Sequence, residues 1–133
     1  MTDRSLSSGQ PCQADPNGHG GDAAIWETVG RARRWLDDAN GSAQPELTMR
    51  ILKIAEEYGE AATAWVGAIG QNPRKGVTHA LHDVVDELGD VAFTALVAVA
   101  SLGFDAKEVL AGVAAKVDSR FTAPADADQP LRW

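Results

Sequence analysis

Apolar residues recur every three or four positions through most of this 133-residue chain, and no segment alternates apolar with polar residues. The side-chain period is about 3.6 residues in a helix and two in a strand, so this spacing predicts an all-α fold. Four helices are expected, over about 22–40, 45–69, 78–102 and 106–119, packed as a four-helix bundle-type protomer. The clearest apolar stripe belongs to the second helix: Leu47, Ile51, Ile54, Ala55, Tyr58, Ala62, Trp65 and Ile69.

Individual residues mark the helix starts. Asp22, Thr78 and Asp105 are typical N-cap residues, and Pro45 suits the first turn of the second helix. Gly59 interrupts the second helix, although glycine is a poor helix former. We therefore expect a neighbouring helix or a ligand to approach the backbone closely at Gly59.

The third helix becomes apolar on every face after Asp90, in the run Val91–Leu102. A helix that is apolar all round is buried all round, which predicts a homo-oligomer, either a dimer or a tetramer. The run is shorter than the roughly 20 residues of a membrane span, and the first residues lack the apolar segment of a signal peptide. We therefore expect a cytoplasmic protein with no membrane partner.

Composition narrows the function classes. Apolar residues make up 44% of the chain, enough for a folded core, and the net charge of −7 argues against nucleic acid as a partner. A single cysteine, Cys12, excludes an internal disulfide.

Polar and small residues dominate both ends, so we expect a flexible leader over residues 1–22, one domain over 23–121 and a tail over 122–133.

Two acidic motifs lie on the second and third helices. Glu56, Glu57 and Glu60 belong to the first motif, and Glu87 and Asp90 to the second. Residues three or four positions apart share a helix face, so antiparallel packing would bring four carboxylates together: Glu57, Glu60, Glu87 and Asp90. Such a cluster requires a proton or cation, and oxygen ligands suit Mg²⁺, with Mn²⁺ as a substitute. Either motif alone would indicate only a solvated face.

The loop between these helices carries the sequence Asn72-Pro73-Arg74-Lys75-Gly76. Glycine-flanked basic loops can bind phosphate through backbone N–H groups and side-chain charge. Basic residues are also common in ordinary helix–helix loops. We therefore expect Asn72, Arg74 and Lys75 to contact phosphate if the loop lies opposite the carboxylates.

Together, the paired motifs, the helix order and the basic loop resemble MazG-type nucleotide pyrophosphohydrolases over about residues 24–120. These belong to the all-α NTP pyrophosphatase group, which also includes dimeric dUTPases and phosphoribosyl-ATP pyrophosphatase. The resemblance implies Mg²⁺-dependent hydrolysis of a nucleoside triphosphate to the monophosphate and pyrophosphate, in nucleotide pool cleansing. It makes residues 23–121 a MazG-like domain.

The resemblance also implies residue roles. The magnesium ligands would be Glu57, Glu60, Glu87 and Asp90, and Glu56 would help hold a further metal or orient the attacking water. Of the carboxylates, Glu56 is the one we expect to act catalytically, by accepting the proton of that water. A second basic cluster near the phosphates would be Lys116 and Arg120. Some relatives have a tyrosine that touches the nucleotide one turn after the second motif, where this chain has Thr94. Three tryptophans could stack on a base, although core packing is the simpler explanation for each: Trp26, Trp35 and Trp65.

Two other hypotheses remain at this stage. The first is a catalytically inactive MazG-like helical dimer that binds nucleotide or metal as a sensor or assembly module. The presence of all four primary carboxylates favours the enzyme. The second is a carboxylate-bridged redox metal protein, against which the sequence lacks the Glu-x-x-His pairs of di-iron bundles.

Overall fold

A computed structural model describes residues 19–122, with side chains from residue 21 onward. Four α-helices follow one another: α1 (His19–Asn40), α2 (Gln44–Ala68), α3 (Leu81–Ser101) and α4 (Ala106–Thr122). Residues 19–122 contain no strand, so the all-α prediction is confirmed. The predictions made for Cys12, for the rest of 1–18 and for 123–133 lie outside the described residues.

Helices α2 and α3 run antiparallel. Near the start of α2, Arg50 Nη1 donates a hydrogen bond of 3.0 Å to Ser101 Oγ at the end of α3. At the other end of α2, the carbonyl of Gly67 accepts the backbone N–H of Thr78, which precedes α3, at 3.0 Å. Antiparallel packing sets the two acidic motifs opposite each other midway along the pair.

The core lies between α1, the second half of α3 and the start of α4. Val29, Val97 and Ala106 form its fully buried cluster, one residue from each helix. Seven partly buried side chains pack around this cluster: Trp26, Ala32, Leu36, Phe93, Leu96, Val99 and Ala100. This core fixes α1 against α3.

Helix α3 begins at Leu81, so the prediction of Thr78 as its N-cap was wrong. The backbone N–H of Ala80 donates instead to Asp83 Oδ2 at 2.7 Å. A carboxylate in the first turn satisfies a free N–H and favours the positive end of the helix. The Thr78 hydroxyl forms a hydrogen bond of 2.9 Å with His79 Nδ1 and belongs to the loop.

The other two predicted caps had different outcomes. Asp105 Oδ1 accepts the backbone N–H of Glu108 at 3.0 Å, so the cap of α4 is confirmed. Helix α1 begins at His19, before the predicted cap Asp22. Asp22 Oδ1 accepts a hydrogen bond of 2.8 Å from Trp26 Nε1 and so contributes to the first turns of the helix.

Gly67 is the glycine at which two segments of the chain come closest. A Cβ atom there would lie 2.5 Å from Thr78 Oγ1 and would clash with His79 Nδ1. At Gly59, a Cβ atom would have no neighbour within 4 Å among the described residues, so no neighbouring helix of the same chain approaches it. Approach of a ligand to Gly59 stays a prediction. The close contact is made by the loop with the last turn of α2.

Replacing Gly67 with alanine should lower the free energy of unfolding by about 1–2 kcal/mol, because the new methyl group forces Thr78 and His79 to move. Urea denaturation followed by circular dichroism measures the change. Gly59→Ala is the matched control, and it should raise the free energy by about 0.5–1 kcal/mol because alanine favours a helix. Equal effects at both positions would contradict this description of the loop.

Large apolar side chains remain exposed on the single chain. On α4, a whole face is uncovered: Val109, Leu110, Val113, Val117 and Phe121. After Asp90, α3 is only partly buried, since Val97 and Ala98 are buried whereas Ala92 is exposed. The homo-oligomer that would cover these faces stays a prediction.

Within residues 19–122, no helix taken singly has both the length and the apolar character needed to cross a membrane. Helices α3 and α4 meet that requirement only as a pair, and the pair is bent by 117°.

Candidate active site

Three of the predicted carboxylates come together between α2 and α3. One oxygen from each of Glu57, Glu87 and Asp90 lies within 4.8 Å of the other two. Glu57 is buried, Glu87 is half-buried and Asp90 is exposed, so the cluster opens from the helix interface towards solvent. The i, i+3 spacing within α3 and the antiparallel packing of α2 produce this arrangement.

Glu60, the fourth predicted ligand, lies outside the group of three but close to it. The Glu57 carboxylate is the main cause that raises the pKa of Glu60, with smaller contributions from loss of water and from Glu87. A raised carboxyl pKa reflects the unfavourable concentration of negative charge. The negative charges of Glu57 and Glu87 therefore act on Glu60, and a bound cation would reduce the repulsion between these carboxylates.

The cluster fits a hard divalent cation. Oxygen ligands about 2.0–2.6 Å from one ion are separated from each other by up to about 4–5 Å, and the three oxygens lie within 4.8 Å of one another, close to this range. All donors are carboxylates, with neither sulfur nor imidazole among the three. This donor set suits Mg²⁺ or Mn²⁺ better than softer metals.

Lys53 was not singled out by the sequence reasoning, although it lies at the edge of the cluster. Its Nζ is 2.8 Å from Glu57 Oε1 and 3.1 Å from Glu56 Oε1. Hydrogen bonds to Glu57 and then to Glu56 raise the pKa of Lys53, so its ammonium stays charged. The spacings i, i+3 and i, i+4 on one helix could have indicated these pairs.

A cavity of about 590 Å³ adjoins the cluster between α1, α2 and α3. Lys53, Glu56 and Thr94 line it, and Thr94 is one helical turn after Asp90. The apolar part of its wall comes from seven residues: Ala32, Trp35, Leu36, Met49, Leu52, Phe93 and Val97. The structure thus places Glu56 on the cavity wall rather than within the three-oxygen group.

The tryptophans differ in their surroundings. Trp26 packs against the core, as the simpler explanation held. Trp35 is 68% exposed and lines the cavity, and Trp65 is 50% exposed, so core packing was wrong for both within the single chain. A tryptophan in a cavity wall offers a flat apolar surface for a ligand ring.

The polar end of the cavity is held by a buried arginine. Arg50 donates to Asp37 Oδ1 at 2.7 Å, to Glu46 Oε1 at 3.2 Å and to the Gly41 carbonyl at 2.8 Å. Burial lowers the pKa of Arg50, but its hydrogen bonds to Asp37 and Glu46 outweigh this and raise it overall. Arg50 therefore ties α1, α2 and the end of α3 together.

The predicted phosphate-binding loop lies away from the carboxylates within one chain. Asn72 Oδ1 accepts the backbone N–H of Arg74 at 3.0 Å, so this oxygen shapes the loop. Arg74 and Lys75 are exposed. The loop follows Ala68, the last residue of α2, which is about 12 Å along the helix from Glu60.

Lys116 and Arg120 lie on α4 and are exposed. Neither forms an ion pair with a carboxylate within residues 19–122. The structure therefore brings together three of the predicted acidic residues, Glu57, Glu87 and Asp90. Within residues 19–122 it pairs none of the predicted basic residues with a carboxylate: Arg74, Lys75, Lys116 and Arg120.

Comparison with known proteins gives one match. The family model for phosphoribosyl-ATP pyrophosphohydrolase matches residues 32–117, a stretch that contains both acidic motifs and parts of all four helices. Searches of curated proteins and of solved structures each found no significant match. The family match supports the resemblance to all-α NTP pyrophosphatases and implies pyrophosphohydrolase activity on a nucleotide-like substrate. The chain belongs to the phosphoribosyl-ATP pyrophosphohydrolase family.

Proposed function

We propose that this protein is a MazG-like, Mg²⁺-dependent pyrophosphohydrolase that converts a nucleoside triphosphate to the monophosphate and pyrophosphate. The observation that carries the proposal is the convergence of Glu57, Glu87 and Asp90 on facing helices in a member of this family. Removal of unwanted nucleotides from the cellular pool is the role that suits this reaction.

In this proposal Glu57, Glu60, Glu87 and Asp90 hold the metal. A bound divalent cation neutralises phosphate charge and lowers the pKa of water. The protein contributes a fixed set of oxygens, supported by the antiparallel helices, so little rearrangement is needed when substrate arrives. The raised pKa of Glu60 is consistent with a site built for positive charge.

Glu56 is the proposed proton acceptor for the attacking water. Its carboxylate lies on the cavity wall next to the metal-ligating Glu57, and it is 3.1 Å from Lys53 Nζ. A carboxylate that is not occupied as a ligand retains an oxygen that can accept the proton. Its side chain is 59% exposed, so water has access to it.

The cavity is the proposed site for the nucleoside. Its volume of about 590 Å³ falls within the range of small-molecule sites. Trp35 and Phe93 provide aromatic surface for a base, while Lys53 and Glu56 mark the side nearest the carboxylates. Thr94 leaves room in the cavity beside the second acidic motif, where a tyrosine would fill more of it.

The basic residues would contribute within a homo-oligomer. The exposed apolar faces of α2, α3 and α4 need a covering surface, and a second copy of the chain would provide one. In such an assembly, Arg74, Lys75, Lys116 and Arg120, together with Asn72, can approach the phosphates from a neighbouring chain. The four basic side chains are exposed in the single chain and Asn72 is half-buried, which is consistent with this role.

Phosphoribosyl-ATP is the second candidate substrate, because the matching family model carries that name. It has the same triphosphate as ATP and a further phosphoribosyl group on its base. Both candidates present the same phosphoanhydride to the carboxylate cluster. They differ in the size of the group that the cavity must accept.

The test is a substrate panel with product analysis. The purified protein is incubated with Mg²⁺ and ribo- and deoxyribonucleoside triphosphates or phosphoribosyl-ATP, and the products are separated. We expect pyrophosphate release that stops when EDTA removes the metal, with one substrate clearly fastest. A preference for phosphoribosyl-ATP would replace the first candidate with the second. Nucleotide binding without any turnover would instead favour an inactive sensor.

A further inference from the structure

We infer that Lys53 is an internal counter-ion that pairs with Glu57 in the metal-free protein and gives up this ion pair when the divalent cation binds. This inference rests on the proposed function, since it concerns the same carboxylates. It gives Lys53 a role in metal affinity that is separate from any contact with substrate.

The Lys53 ammonium lies directly beside the Glu57 carboxylate. Lys53 Nζ is 2.8 Å from Glu57 Oε1, which is the distance of a strong charge-assisted hydrogen bond. Within residues 19–122, Lys53 is the only cation within ion-pair distance of Glu57. The other charged groups of this cluster are carboxylates: Glu56, Glu60, Glu87 and Asp90.

Burial explains why Glu57 needs this partner. The Glu57 side chain is 11% exposed, and a carboxylate withdrawn from water without a counter-charge is strongly unfavourable. Lys53 supplies one positive charge from the preceding helical turn. The ion pair can therefore hold the Glu57 side chain in place beside the cluster in the metal-free protein.

Exchange follows from charge and mobility. A divalent cation at the cluster would repel an ammonium hydrogen-bonded to one of its ligands, so the two compete for Glu57. The Lys53 side chain is 45% exposed and lines the cavity, so it can leave Glu57 without losing contact with water. Once displaced towards the cavity, it would meet an incoming anionic substrate.

Replacing Lys53 with methionine tests the exchange. Mn²⁺ binding is measured without nucleotide, by electron paramagnetic resonance of the free ion. We expect the dissociation constant for Mn²⁺ to fall about tenfold, because metal no longer displaces a charge-assisted hydrogen bond that is partly screened by solvent. Lys107→Met is the matched control, since Lys107 pairs with Asp22 on the surface, and it should leave the constant unchanged.

The outcomes separate this inference from the proposed function. Wild-type binding with an unchanged or weaker Mn²⁺ affinity in Lys53→Met would overturn the inference alone, and would make Lys53 a support that positions Glu57. Absence of Mn²⁺ binding in both proteins would overturn the metal site and the inference with it. If Lys53→Met does not fold, as judged by circular dichroism, Lys53→Gln is measured with the same expectation.

Discussion

Replacing Glu57 with glutamine should lower kcat/KM by at least about 10³-fold, because a neutral amide is a poor ligand for a hard cation. Metal stabilisation of phosphoryl chemistry contributes several kcal/mol, and about 4 kcal/mol corresponds to this loss. The helices should remain intact, since glutamine has the same shape and its carbonyl still accepts from Lys53. Steady-state pyrophosphate release measures the effect, with circular dichroism as the check on folding.

Glu108→Gln is the matched control for this substitution. Glu108 is exposed in the first turn of α4. Its backbone N–H donates to the capping carboxylate of Asp105, so a change of the Glu108 side chain leaves the cap in place. Its replacement should change kcat/KM by less than about twofold, because surface substitutions away from special features have small effects. Full activity in folded Glu57→Gln would refute the assignment of Glu57 as a ligand.

Replacing Arg50 with methionine should lower the free energy of unfolding by about 3 kcal/mol, because it leaves partly buried Glu46 without its cation and leaves Asp37 with Arg33 alone. It also removes hydrogen bonds to Ser101 and to the Gly41 carbonyl. The Arg50 side chain is only 5% exposed, so water cannot readily replace these contacts. Urea denaturation monitored by circular dichroism measures the loss.

Arg31→Met is the control for the arginine substitution. Arg31 is exposed on α1, and its Nη2 donates one hydrogen bond of 3.1 Å to Thr28 Oγ1. The expected change is below about 0.5 kcal/mol. A comparable loss in both variants would mean that the ion pairs and hydrogen bonds of Arg50 contribute no more to stability than the surface hydrogen bond of Arg31.

Local spacing made the helices and the acidic cluster predictable. The carboxylates of each motif share a face because three or four residues complete a turn, and this depends on no distant contact. Antiparallel packing of α2 and α3 was an assumption of the sequence prediction, and the loop over 69–80 achieves it by returning to the carbonyl of Gly67 through the N–H of Thr78. Glu57, Glu87 and Asp90 accordingly meet where the sequence predicted.

Features that depend on competition between groups were not predictable in the same way. Thr78 has the chemistry of an N-cap, but the carboxylate of Asp83 reaches the N–H of Ala80 and moves the helix start to Leu81. The Arg50 network joins residues far apart in sequence, up to Ser101. Hydrophobic spacing describes one helix face, whereas this network needs three helices in their final positions.

The cavity illustrates the same limit. Its walls come from α1, α2 and α3, so Trp35 and Phe93 gain a shared surface only after the helices pack. The basic residues are the opposite case. Arg74 and Lys116 carry charges that suit phosphate binding, but neither pairs with a carboxylate of the cluster within residues 19–122. Sequence chemistry identified these residues, but helical spacing does not determine their position relative to the cluster.

The most direct measurement is phosphorus NMR of the fastest substrate during turnover in Mg²⁺, with and without EDTA. For a metal-dependent pyrophosphohydrolase, we expect product signals from the nucleoside monophosphate and pyrophosphate only, and no reaction after EDTA is added. Water labelled with oxygen-18 identifies the phosphorus that is attacked, through its isotope shift. Release of orthophosphate with a nucleoside diphosphate, or turnover that persists in EDTA, would contradict a metal-dependent pyrophosphohydrolase built on these carboxylates.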